Sequence, residues 1–90
     1  MSQTPKFEMH GEVDLERAAG YEAAIRKWLA SGGPPVLDMT GVTFIDSSGL
    51  NMLARLSEQH GEPLTLEGLK PTIVKLLHLT ELDRLFTIAP

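Results

Sequence analysis

The reactive side chains of this sequence gather in one place. Val42-Thr43-Phe44-Ile45 runs into Asp46-Ser47-Ser48-Gly49, and from Leu50 the pattern becomes helical. Two hydroxyls behind a carboxylate at a helix start admit two readings. In the first, Asp46, Ser47 and Ser48 are cap residues and Gly49 relieves a tight turn. The second keeps the cap and adds an exposed serine open to modification. Such a serine lies beside free backbone N–H groups and the positive end of the helix dipole, which favour anions. A phosphate there adds about −1.5 to −2 charges. Its own fold tolerates that charge, whereas a partner docked on the spot is repelled.

The other candidates are weaker. Gly11-Glu12-Val13-Asp14 reads as a turn followed by an N-cap. In a parallel α/β layer, strand C-termini and helix N-termini lie at one end of the sheet. Asp14 and the 46–49 loop are therefore predicted to share a rim. Met52 and Leu56 sit one turn apart, off the Leu50–Leu53 line. They belong to the core or, if exposed, form an apolar patch beside the serine that suits a protein partner. His10, His60 and His78 are far apart and lack neighbours at metal-ligand spacing. Asp38 and Asp46 form a possible carboxylate pair, but no general base stands beside a serine. There is no glycine-rich phosphate loop, no Gly-x-Ser-x-Gly elbow and no cysteine. The residues predict no intrinsic active site, no metal and no cofactor.

Ninety residues leave room for one domain, 1–90, and one two-layer core. Lys and Arg number 8 against 12 Asp and Glu, for a formal charge of −4, and the cations are scattered. A nucleic-acid binder of this size usually carries a basic face, so no nucleic acid is expected. No window approaches a membrane span, and no apolar stretch follows the first residues as in a signal peptide. A cytoplasmic protein without membrane insertion is the expectation.

The elements that must position the serine alternate in type. Lys6 to Val13 reads as a short strand, with Phe7, Met9 and Val13 inward and Gly11 breaking the alternation. Asp14 caps a helix of about sixteen residues with Tyr21, Ile25, Trp28 and Leu29 on its apolar stripe. Ser31-Gly32-Gly33-Pro34-Pro35 ends it. Pro35 to Met39 reads as a strand, Thr40-Gly41-Val42 as a turn, and Thr43 to Ile45 as more extended chain. A helix over Leu50 to Gln59, a strand at Leu64 to Glu67 and a helix from Pro71 follow. A short helical turn and a last strand at Phe86-Thr87-Ile88 close the chain. Strands alternating with helices imply parallel pairing with right-handed crossovers. The expected class is α/β: a small two-layer domain with a mostly parallel or mixed sheet of about four strands and helices on one face.

These residues together resemble the STAS domain, the fold of bacterial anti-sigma factor antagonists. Gly11-Glu12-Val13-Asp14 is similar to the family's Gly-Glu-Leu-Asp. Val36-Leu37-Asp38-Met39 and the run from Val42 to Leu50 resemble its central strand and phosphorylation loop. Leu64 to Leu69, Val74-Lys75-Leu76-Leu77 and Leu82 to Phe86 resemble its closing elements. The resemblance implies a non-enzymatic ligand and substrate of an anti-sigma factor that is also a serine protein kinase. The unphosphorylated antagonist binds that kinase and frees the sigma factor; phosphorylation of the serine after the motif Asp, here Ser47, switches it off. A phosphatase reverses the modification, and ATP belongs to the partner.

By the same resemblance Asp46 orients the loop and contributes to recognition, Ser48 and Gly49 shape the turn, and Asp14, Asn51, Met52 and Arg55 are rim contacts. The family usually has a further N-terminal strand, and ten residues precede Gly11. A shortened N-terminal edge is therefore expected, with homodimerisation through an uncovered edge. The family also often ends in a further helix. Members serving lipid-exporting ABC-type transport systems as accessory subunits often carry Thr in the motif, so Asp-Ser-Ser-Gly favours the antagonist. A scaffold module of a stress-signalling assembly is a third reading.

Overall fold

The computed structural model describes residues 5–89. The elements run β1 (Phe7–Val13), α1 (Leu15–Ala30), β2 (Val36–Ile45), α2 (Ser47–His60), β3 (Leu64–Glu67), α3 (Pro71–Leu79), a 3-10 turn (Leu82–Leu85) and β4 (Phe86–Ala89). The sheet has the sequential order β1-β2-β3-β4, and all three pairings are parallel. Right-handed crossovers that all step in one direction place α1, α2 and α3 on the same face.

Strand alternation shows which face that is. Leu64 and Leu66 are buried, while Thr65 and Glu67, which alternate with them, are partly open. Met9, Val13, Leu37, Met39, Val42 and Ile45 join them in one core with Ile25, Leu50, Leu53, Leu56, Ile73 and Leu77 from the helices. Each such side chain contributes about 1.5–3 kcal/mol when fully buried. Cross-strand partners share a face, so Glu8, Asp38 and Glu67 line up on the opposite, solvated side. Lys6 Nζ reaches Glu67 Oε1 there at 2.7 Å.

The expected turn at Thr40-Gly41-Val42 is absent, and β2 is one strand of ten residues. What breaks its alternation is a pair of bulges against β1. Glu8 pairs with Asp38 but His10 with Gly41, so Met39 and Thr40 both stand opposite Met9. Gly11 pairs with Val42 but Glu12 with Phe44, which leaves Thr43 without a counterpart. Each extra residue shifts the parity of the strand. The buried positions are accordingly 37, 39, 42 and 45. A Cβ at Gly41 would meet the exposed His10 ring, with Nδ1 at 2.6 Å, and the Met9 carbonyl oxygen at 3.2 Å.

β1 is an edge strand, and α1 closes part of its edge. The Tyr21 hydroxyl accepts the His10 N–H at 3.1 Å and donates to the His10 carbonyl at 2.9 Å. Phe7 packs edge-on against Tyr21 and Trp28, whose indole N–H donates to the Pro34 carbonyl at 2.7 Å. This edge carries the full seven residues of β1. The expectation of a shortened edge concerns in part residues 1–4, which lie outside the described residues.

Candidate functional site

Two strand-to-helix corners build the site, and they are alike. Val13 and Ile45 are paired, buried strand ends. The next residues, Asp14 and Asp46, are the N-caps of α1 and α2, with φ/ψ of −108°/−175° and −105°/−175°. Each carboxylate accepts the backbone N–H three residues on: Arg17 at 3.1 Å and Gly49 at 3.0 Å. The Asp46 N–H donates to the Val13 carbonyl at 3.3 Å, which ties one corner to the other. The predicted common rim is therefore present.

Helix α2 starts at Ser47, three residues earlier than the apolar pattern suggests. Ser47 is its first residue and is exposed. First-turn N–H groups have no acceptor within the helix. Asp46 takes that of Gly49, leaving those of Ser47 and Ser48 as donors facing the rim. The Asp46 side chain thus caps α2 where Ser47 begins it.

Gly49 serves a purpose the sequence did not disclose. It is helical and buried, and it relieves no turn. A Cβ at this position would lie 2.4 Å from the Val13 carbonyl oxygen and 2.7 Å from Ile45 Cγ1. Its missing side chain lets α2 rest directly on the ends of β1 and β2, which places Ser47. Being buried, Gly49 has no side chain or open surface with which to touch a partner.

Met52 also departs from expectation as a rim contact. It is 0% exposed and belongs to the core, as does Leu56. The cause is that α2 packs on the sheet, on α1 and on the 3-10 turn together, so more than one stripe of it is covered. Ser57, the only buried polar residue among those described, joins these layers. Its hydroxyl donates to the Leu85 carbonyl at 2.6 Å and accepts the Leu64 N–H at 3.2 Å.

Ser48, Asn51 and Arg55 do come together. They line a shallow groove between α2 and α1, facing Leu15, Ala19 and Glu22. Glu22 accepts from Arg55 across the groove at 2.9 Å and from Arg26 on its own helix at 2.7 Å. Hydrogen bonding to Arg55 and then to Arg26 holds the Glu22 carboxyl below its ordinary range. Arg17 steadies the other corner, with Nη1 3.5 Å from Asp14 and 3.8 Å from Glu12.

Leu15 is a further rim residue. It is 74% exposed on the first turn of α1. Its spacing of three from Ala18 was a usable signal. It continues the apolar stripe past the sheet end, where nothing covers it.

Among the described residues no three His, Cys, Asp or Glu side chains are grouped to hold a metal ion. Nor is any helix long and apolar enough to cross a membrane.

Fold and rim define a small α/β module of four parallel strands that presents one capped, exposed serine beside an interhelical groove. The family model described as "Mlab, STAS domain" matches residues 1–88. The chain belongs to the STAS domain family. The anti-sigma-F factor antagonist RsfB of Mycobacterium tuberculosis, in strains CDC 1551 / Oshkosh and ATCC 25618 / H37Rv, is 35% identical over 81 residues. That match covers 87% of this chain and 66% of the relative, so the chain spans just under two-thirds of its length. The solved structure of the anti-sigma factor antagonist SpoIIAA in its unphosphorylated form aligns with a TM-score of 0.63 at 20% identity. It covers 92% of this chain and 76% of that one, and shares its fold.

Proposed function

We propose that this chain is an anti-sigma factor antagonist switched by phosphorylation of Ser47. The observation that carries the reading is the exposure of Ser47 at the first position of α2, on a rim shared by two Asp caps. The relative RsfB, named an anti-sigma-F factor antagonist, supports it. The unphosphorylated chain binds an anti-sigma factor that is also a serine protein kinase, in the cytoplasm, and so releases the sigma factor. The chain is a substrate and not itself an enzyme. Ser47 Oγ attacks the γ-phosphorus of ATP held by the partner. An O–P bond forms, the bond from phosphorus to the β–γ bridging oxygen breaks, ADP leaves, and the hydroxyl proton passes to a base of the kinase. A phosphatase hydrolyses the ester.

The physics of the switch lies in the rim. The N–H groups of Ser47 and Ser48 and the helix dipole favour an anion at this point. The fold therefore tolerates the phosphate. About −1.5 to −2 further charges at Ser47 repel an acidic surface docked there, and an apolar one would have to desolvate them. Leu15, Asn51 and Arg55 supply the contacts that are lost.

The test is incubation of the full chain with such a kinase and ATP, followed by mass spectrometry and a binding measurement. Phosphate is expected on Ser47 and none on Ser47→Ala. Ser47→Asp is expected to lose kinase binding while its melting temperature hardly moves. Binding without any phosphate on the loop would overturn the reading. It would favour instead an accessory subunit docked on the ATPase of a transport system.

A further inference from the structure

A second exposed surface lies on helix α3. Its nine residues bury Ile73 and Leu77 toward the sheet. The helix is nonetheless apolar on a second side. Leu69, Pro71, Val74 and Leu79 line an open groove with Lys75 and His78, and Leu79 is 72% exposed. Three large apolar residues are exposed among those described, namely Leu15, Phe44 and Leu79, and only Leu79 lies on this groove. Apolar side chains clustered on an exposed face and rimmed by polar ones suit contact with a partner.

Charge indicates the kind of occupant. No carboxylate lines the groove, although the chain carries 12 acidic residues against 8 basic ones. Lys75 makes no ion pair among the described residues. Lys70, at the N-cap of α3, is held by the Thr40 carbonyl at 3.0 Å. His78 is tied to Asp83 at 2.8 Å. Residues 71, 75 and 79 form one ridge at a spacing of four, and 74 and 78 the next, and the furrow between two such ridges is where a ridge of a second helix packs. Two lysines are too few for attraction to an anionic lipid surface, which takes clusters of four or more.

We propose that the outer face of α3 is a second docking surface, for an acidic amphipathic helix of a protein partner. The proposal rests on the reading of this chain as a protein-binding module, but not on Ser47.

The experiment is an amide chemical-shift titration of the isotope-labelled full chain with two synthetic helical peptides. Both carry one Leu/Ala face; the other face is Glu in one peptide and Lys in the other. Shifts confined to residues 69–79 are expected with the Glu peptide and none with the Lys peptide. Leu79→Gln is expected to weaken binding about tenfold, as truncation of an anchor does. Lys75→Glu should abolish the preference for the Glu peptide. Both residues are exposed, and an unchanged melting temperature confirms that the variants fold. Ser47→Asp should leave this binding intact, which separates failure of this proposal from failure of the phosphorylation reading. Equal binding of the Lys peptide, or shifts on the α1–α2 rim, would overturn the proposal. Two outcomes would do the same by naming another occupant. One is binding to phosphatidylglycerol vesicles. The other is self-association that Leu79→Gln abolishes.

Discussion

Alanine introduced at Gly49 and at Gly20 should act in opposite directions. Both glycines lie inside helices. Intrinsic propensity alone makes Ala better than Gly by about 1 kcal/mol at either site. At Gly20 a new Cβ meets nothing within 4 Å, so that gain should be realised nearly in full. At Gly49 the Cβ would sit 2.4 Å from the Val13 carbonyl oxygen, 2.7 Å from Ile45 Cγ1 and 2.9 Å from Val13 Cγ1. The backbone oxygen is about 1 Å inside the 3.4 Å at which ordinary contact begins. Two of the three contacts are with Val13, which is fixed in the sheet by its pairing with Ile45. Relief therefore requires the start of α2 to lift. Overpacking of this kind costs about 1–3 kcal/mol. Because the closest atom is a backbone oxygen, the upper end of that range applies, about 2–3 kcal/mol, so net of propensity Gly49→Ala should lose about 1–2 kcal/mol. In a domain of this size that lowers the melting temperature by about 5–15 °C, while Gly20→Ala should raise it by several degrees. Circular-dichroism melts give the two signs. Amide spectra of Gly49→Ala should show the largest shifts at Asp46, Ser47 and Ser48. If Gly49→Ala is as stable as Gly20→Ala, the close packing of α2 on the strand ends plays no part in placing the serine, and the reasoning fails.

Other substitutions test other parts of the fold. Ser57→Ala strands the Leu85 carbonyl and the Leu64 N–H in the interior and should cost about 1–3 kcal/mol in a urea titration. Glu81 has φ +59°, left-handed for a side-chain-bearing residue, so Glu81→Gly should stabilise by about 0.5–1 kcal/mol. A fall in the urea midpoint for that variant would contradict the inferred strain. The Thr40 hydroxyl and N–H hold the Asp38 carboxyl below its ordinary value of 3.8, and arginines do the same for Glu22 below 4.5. A depressed carboxyl stabilises the fold above its unfolded-state value, and the contribution is lost as pH falls through the folded one. Urea midpoints should therefore decline below about pH 4.5, and Asp38→Asn should flatten part of that decline. A decline of the same size in Asp38→Asn would show that Asp38 is not its source.

The corners of the site were legible because caps are local. Asp14 and Asp46 needed only their own short side chains and the N–H three residues on. The parallel arrangement followed equally from the alternation of strands and helices. What the sequence hid depends on neighbours distant in the chain. Gly49 reads as turn chemistry until Val13 is seen beside it. Thr40-Gly41-Val42 reads as a turn because bulges against β1 break a two-residue period just as a turn would. Met52 was ambiguous because α2 is covered by three elements at once, and a single apolar stripe cannot describe such a helix. Leu15 was passed over because it lies on the stripe by spacing and off the sheet by position.

The hydroxyl of Tyr21 has a consequence for how copies of this chain can combine. By occupying both backbone groups of His10, in the middle of β1, it withholds them from a further strand, while β4 forms the opposite edge of the sheet. A module with two open sides can add copies without end, as fibres do. With one open side, two copies that meet there finish the sheet and leave nothing for a third. One phenolic oxygen thus turns assembly by strand pairing away from the middle of β1 and toward β4. Tyr21→Phe should free both His10 groups for a further strand.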